Sequence, residues 1–287
     1  MTDSIHPETT VSAVHLAVAN LEGQLSFYRD KLGFKVHRQE SDTVYLGAGG
    51  ADFLILTERS AVRPPRRATG LYHFAILTPS RLHLARSLRQ LAETSTPVEG
   101  FADHLVSEAI YLSDPEGNGI EIYRDRPRDQ WPRRDGQVVM ASDPLNLDGI
   151  LAELEGDREP WAGLHPATRL GHMHLKVAEV VETEAFYCGV LRFDLIARLA
   201  SSALFVSAGG YHHHIGMNTW ESAGAAPSPP GSTGLTHFVI ELPDAAELSR
   251  TAERMRRANW KFDEREDGLF ARDPSKNGIL LTARIAS

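Results

Sequence analysis

The residues best suited to chemistry stand in one stretch, His104-Leu-Val-Ser-Glu-Ala-Ile-Tyr-Leu-Ser-Asp-Pro-Glu-Gly-Asn-Gly-Ile-Glu-Ile-Tyr123. Val106 to Leu112 is rich in strand formers, Asp114 to Gly119 is dense in turn residues, and Ile120 to Tyr123 resumes a strand. In that last strand Ile120 and Ile122 share one face, so Glu121 and Tyr123 share the other. A carboxylate in an otherwise apolar strand is costly to bury unless something positive meets it. A metal ion is one such partner. The chain carries thirteen histidines, and several of them, His15, His73, His172, His174 and His237, lie in short strand-like segments that could bring them to it.

Those segments open four copies of one rhythm: a strand, an amphipathic helix, then more strands. The first, module A, starts at Val11–Val18, with a helix over about 21–32 (Leu21, Leu25, Tyr28 and Leu32 on one face, Asn20 as N-cap) and strands at 34–37, 43–46 and 53–56. Module B opens at Leu71–Leu77, has a helix over about 80–93 and closes with 104–123. Module A′ opens at Leu170–Val177, with a helix near 179–190 and strands near 193–196, 203–206 and 212–217. Module B′ opens at Leu235–Leu242, with a helix over about 244–258 and strands to Ile285. Phe27-Tyr28 recurs as Phe186-Tyr187, and the Asp114–Ile120 turn recurs as Asp273–Ile279, both at a shift of 159. The chain is a duplicated pair of modules. Residues 125–168, rich in Arg, Pro and Asp, read as a long ordered linker with a helical turn at 148–154, and 223–234 as a Pro/Ser/Gly loop.

At 287 residues the chain can bury a sizeable core, and 42% hydrophobic with 24% charged residues is ordinary for a soluble globular protein. The formal charge is −8, and the densest basic cluster, Arg63-Pro-Pro-Arg-Arg67, reads as a solvated loop, so no nucleic-acid stripe is expected. The single cysteine, Cys188, excludes an internal disulfide and fits a reducing cytoplasm. No stretch approaches the roughly 18 apolar residues of a membrane span, and residues 1–10 lack the apolar centre of a signal peptide. A cytoplasmic protein with no membrane partner is expected, and exposed module edges suggest a homo-oligomer.

The repeated βαβββ units resemble the vicinal oxygen chelate superfamily, which includes glyoxalase I, bleomycin-resistance proteins and extradiol ring-cleaving dioxygenases. The resemblance implies an α+β fold of four βαβββ modules forming two half-barrel units: a first domain at 11–126, a linker at 127–168 and a second domain at 169–287. Within the superfamily, His104, Ile110, Tyr111, Asp114, Pro115, Gly117 and Glu121 match the type I extradiol dioxygenase signature, with Ala102 departing at a weak position. The closest likeness is to bacterial catechol 2,3-dioxygenases.

That likeness implies a site. Two histidines and one carboxylate with open positions suit non-heme Fe(II), with Mn(II) as the alternative ion. Glu121 supplies the carboxylate and His73 carries a ligand. The third ligand falls fifteen residues before the Tyr of the Phe-Tyr pair, which is His172 in A′ but Ala13 in A. His174, and its counterpart His15, face the same side, and strand period alone does not separate His172 from His174. The Gly210-Tyr-His-His-His-Ile-Gly216 stretch matches the context of the family's active-site base and puts it at His213. His104 and Tyr111 would bind the substrate oxygen. B′ holds Leu280, Phe270 and Asp263 where B holds Glu121, Tyr111 and His104, so B is expected to pair with A′ and leave A with B′ as a non-catalytic half. The implied activity is cleavage of a catechol by O2 to a 2-hydroxymuconic-semialdehyde type of product. Two rival readings are a metal-dependent isomerase or transferase of the glyoxalase type and a metal-free binding protein of the bleomycin-resistance type. His237 is expected as a core or pocket residue, and His37, His83 and His165 as surface residues.

Overall fold

The structure, a computed structural model, describes residues 4–60 and 62–284. Ile285 and the last residues of the expected second domain lie outside the described residues.

All four modules form where their sequences place them. Module A runs β1 (Thr10–Val18), α1 (Leu21–Ser26), a π-helical turn (Phe27–Lys31), β2 (Lys35–Glu40), β3 (Thr43–Gly47) and β4 (Asp52–Glu58). Module B runs β5 (Gly70–Leu77), α2 (Arg81–Glu93), β6 (Gly100–Asp103), β7 (Ser107–Ser113) and β8 (Gly119–Asp125). The linker contributes a small hairpin, β9 (Arg133–Arg134) and β10 (Gln137–Val138), and α3 (Leu147–Ala152). Module A′ runs β11 (Arg169–Lys176), α4 (Val180–Glu184), a second π-helical turn (Ala185–Val190), β12 (Asp194–Leu199), β13 (Ala203–Ser207) and β14 (Ile215–Asn218). Module B′ runs β15 (Gly234–Leu242), α5 (Ala245–Arg257), β16 (Phe262–Arg265), β17 (Gly268–Arg272) and β18 (Gly278–Ala283). The expected strand at 212–217 starts three residues late, because His212 to His214 turn back on themselves through side-chain contacts before β14 begins.

The sixteen module strands make two eight-stranded sheets, in the orders β16-β17-β18-β15-β1-β4-β3-β2 and β12-β13-β14-β11-β5-β8-β7-β6. A therefore shares a sheet with B′, and B with A′. In B the helix crossover makes β5 parallel to β8, with Phe74 opposite Ile120 and Ile76 opposite Ile122. These four side chains are buried on the face that α2 covers with Leu84, Ala85 and Leu91. The opposite face is left to His73, Ala75 and Glu121.

By internal packing the chain divides into two compact units, and three of the four dividing points fall inside β1, β5 and β11. One comprises Met1–Ala17, Ala61–Tyr72 and Gly171–Ser287; the other comprises Val18–Ser60 and His73–Leu170. Each is pinned by the same device. In the second, the buried Tyr28 hydroxyl donates to Asp114 at 2.9 Å; in the first, Tyr187 donates to Asp273 at 3.3 Å. Each Asp also accepts from the backbone and side-chain nitrogens of an Asn four residues on, Asn118 or Asn277. Burial pushes both carboxyls up, Asp273 to about 6, and raises both tyrosines. The repeated Phe-Tyr and Asp-Pro motifs are thus two halves of one lock.

In the first unit β1 pairs antiparallel with β15, with His15 opposite His237, and their rings stack at 4.0 Å and 25°. Burial lowers His15 to about 4 and His237 to about 3. Their folded values lie below the ordinary histidine value, so the stability from keeping them neutral is present above pH 6.5 and lost as pH falls through that value toward 4. A urea-unfolding series over that window should show His237→Phe losing less stability on acidification than the wild-type chain.

Candidate metal centre and active site

The register of module B gathers its polar residues on one face. Glu121 of β8 lies opposite Ala75 of β5 on one side and Tyr111 of β7 on the other. His73 stands two residues before Ala75, which brings its Nε2 to 3.0 Å from Glu121 Oε2. Both residues are almost fully buried, at 6% and 2% exposure, in strands that are otherwise apolar. The Tyr111 ring lies 5.6 Å from that of His73, and its hydroxyl is 2.6 Å from His104 Nε2. His104 Nδ1 is 2.6 Å from the Ala141 carbonyl, which can only accept, so Nδ1 carries the proton. A neutral His104 then accepts from the Tyr111 hydroxyl, which leaves the phenolic oxygen lone pairs available to a bound group.

Module A′ gathers a second set. His172 and His174 share a face of β11, both buried. The His172 ring packs 4.1 Å from that of His213, and His213 Nδ1 is 2.8 Å from His212 Nδ1, so one of that pair donates and the other accepts. His174 is differently employed. Its Nε2 accepts from the Asn218 side-chain amide at 3.0 Å, and its ring lies among Tyr72, Phe205 and Trp220 at 5.0–5.8 Å. Gly216 sits opposite it in the parallel register, where a Cβ would come within 3.1–3.2 Å of the imidazole. A side chain there would crowd the ring. His214 points elsewhere, its Nδ1 accepting from the Ala208 amide at 3.2 Å.

His73, Glu121 and His172 offer ligand atoms that all lie within 4.8 Å of one another, and no other group of three or more His, Cys, Asp or Glu side chains among the described residues does so. Two neutral nitrogen donors and one carboxylate, all buried, fit a divalent metal, and a cation answers the cost of burying Glu121. His174 and His15, the competing candidates, stand outside this group, each with ring partners of its own. Ala141, Asn218, Tyr72 and Trp220 are not marked by any motif in the sequence. A linker carbonyl carries no side-chain signal, and Asn218, Tyr72 and Trp220 matter only through pairings far apart along the chain. His37 is bound to Asp52 at 2.6 Å, on the surface as expected.

Residues 10–122 and 169–279 match the model of the Glyoxalase/Bleomycin resistance protein/Dioxygenase superfamily. The chain belongs to this superfamily. A catechol-2,3-dioxygenase of Bacillus subtilis (strain 168) is 42% identical over 282 residues, spanning 96% of this chain and 98% of that protein. The solved structure of glyoxalase I from Zea mays has a TM-score of 0.59 at 14% identity, covering 96% of this chain and 92% of that one. The cppA protein of Streptococcus pneumoniae TIGR4 has a TM-score of 0.53 at 13% identity, covering 96% and 99%. At these identities the two structures show the fold alone. No helix among the described residues is long and apolar enough to cross a membrane.

His73→Ala, Glu121→Ala and His172→Ala should each abolish stoichiometric metal binding, whereas His174→Ala and His15→Ala should retain it. Metal content after anaerobic loading and gel filtration reads the difference.

Proposed function

We propose that this protein is an Fe(II)-dependent extradiol dioxygenase that cleaves a catechol with O2 to a 2-hydroxymuconic-semialdehyde type of product. The observation that carries the reading is the buried His73–Glu121–His172 group beside a tyrosine whose hydroxyl is held by His104. Near-full-length likeness to the Bacillus catechol-2,3-dioxygenase supports the same substrate class.

Fe(II) at these three ligands would leave positions for both oxygens of a diol and for O2, and would make the diol hydroxyls more acidic. The chain's own groups do the rest. Tyr111, set opposite Glu121 in the register, hydrogen-bonds the substrate oxygen, with its direction fixed by the chain Tyr111–His104–Ala141. His213, packed on His172 and tied to His212, accepts the proton of the second hydroxyl and returns it to oxygen as the ring opens. Phe205, 5.2 Å from His213, gives that side of the site an aromatic wall. Both atoms of O2 enter the product, and the ring bond beside the two hydroxyl-bearing carbons breaks, so no outside reductant is needed.

The test is oxygen uptake by anaerobically iron-loaded protein on addition of catechol, followed together with the yellow semialdehyde. Uptake matched to yellow product is expected, and His213→Phe should keep its iron while losing about 10²–10⁴-fold in turnover. Bound iron with no uptake across several substituted catechols would overturn the reading.

A further inference from the structure

A cavity of about 330 Å³ lies in the unit formed by Val18–Ser60 and His73–Leu170, between α2 and the linker stretch that ends at Thr168. Its lining shares no residue with the His73–Glu121 face. The cavity is held open by fixed structure. Arg86 of α2 forms a two-pronged pair with Asp157 and a further contact with Glu159, which pins the linker to the helix. Farther along, the Leu164 amide donates to the Gly33 carbonyl at 2.9 Å, and Gly33, at φ +80°, has no room for a side chain beside Trp161.

What the cavity offers is an excess of donors. The Lys35 ammonium makes no ion pair or hydrogen bond among the described residues. His165 Nδ1 accepts from the Ala167 amide at 3.1 Å, so a neutral His165 carries its proton on Nε2. The His83 ring meets that of His165 at 4.4 Å, and burial, then His165 and Arg86, holds His83 below the ordinary histidine value. Thr168 is 95% buried, and its hydroxyl has no hydrogen-bond partner among the described residues, a costly state for a buried polar group. The one carboxylate in the lining, Glu159, and the neighbouring Asp157 are both engaged with Arg86. Donors in excess call for an anion. Trp161, Pro160, Ala162 and Pro166 give the rest of the cavity flat apolar walls, which call for a ring. A metal fits poorly, because His83 and His165 belong to no three-ligand group.

We propose that this cavity binds a small aromatic carboxylate, its carboxylate received by Lys35, His165 and the Thr168 hydroxyl and its ring set against Trp161. The site stands apart from the catalytic reading and does not depend on it.

Benzoate titrated calorimetrically into the full chain, with and without chelator treatment to strip metal, tests this. Saturable binding at one equivalent is expected in both preparations, weakened about tenfold or more in Thr168→Val and in Lys35→Met, an exposed-strand variant that should fold normally. Benzyl alcohol, which has the ring without the charge, and acetate, which has the charge without the ring, should bind far more weakly. Binding that vanishes with the metal would assign benzoate to the His73–Glu121–His172 centre and overturn the proposal. Binding unchanged in both variants, or absent altogether, would do the same. Inorganic phosphate binding as tightly as benzoate would make this a general anion site and overturn the aromatic assignment.

Discussion

A carboxylate and an imidazole buried together in apolar strands form the constraint on which the rest depends. Glu121 and His73, 3.0 Å apart, stand on the one face of β5 and β8 that α2 does not cover. Removing one of them would leave the other buried without a partner, which typically costs about 1–3 kcal/mol or more. In the proposed site, a divalent cation shared with His172 would turn that liability into a binding site. The parallel crossover of module B, the apolar second face of its strands and the tight Asp114–Gly119 turn all serve to hold those two side chains in register.

Duplication separates what the fold requires from what the chemistry requires. Both copies keep the tyrosine–aspartate–asparagine lock, Tyr28–Asp114–Asn118 and Tyr187–Asp273–Asn277, which ties the turn of a B-type module to the helical turn of the A-type module before it. The polar residues of the candidate site occur once. In B′ the position opposite Leu280 is Phe270, as Tyr111 is opposite Glu121 in B, so the register is intact while both polar groups are gone. His15 and His237 remain as a stacked pair that burial keeps neutral, a packing role that needs no metal. The sheet orders agree with this division of labour, with A beside B′ and B beside A′.

Much of this could be read from the chain, for identifiable reasons. Strand alternation put Glu121 and Tyr123 on one face, and the repeat at a shift of 159 identified the modules and the degraded copies of Glu121, Tyr111 and His104. The choice between His172 and His174 could not come from periodicity, since both share a face. In the structure the difference lies in their neighbours: His174 is occupied by Asn218 and an aromatic surround seated over Gly216, while His172 stands with His73, Glu121 and His213. The backbone support of His104 by Ala141 was illegible, because a carbonyl from a Pro- and Arg-rich linker leaves no trace in residue types. His83 and His165, which read as separate surface residues, meet across a cavity whose walls are 80 residues apart in sequence, and only tertiary packing could bring them together.

The proposed reaction requires one metal between His73, Glu121 and His172, with positions left for a diol. Anomalous diffraction at the iron edge from anaerobically iron-loaded crystals soaked with catechol tests it most directly. A single iron peak bonded to those three side chains is expected, with both catechol oxygens bound to it and Tyr111 hydrogen-bonded to one of them. An iron peak at another histidine cluster, or a catechol lying away from the metal, would contradict it.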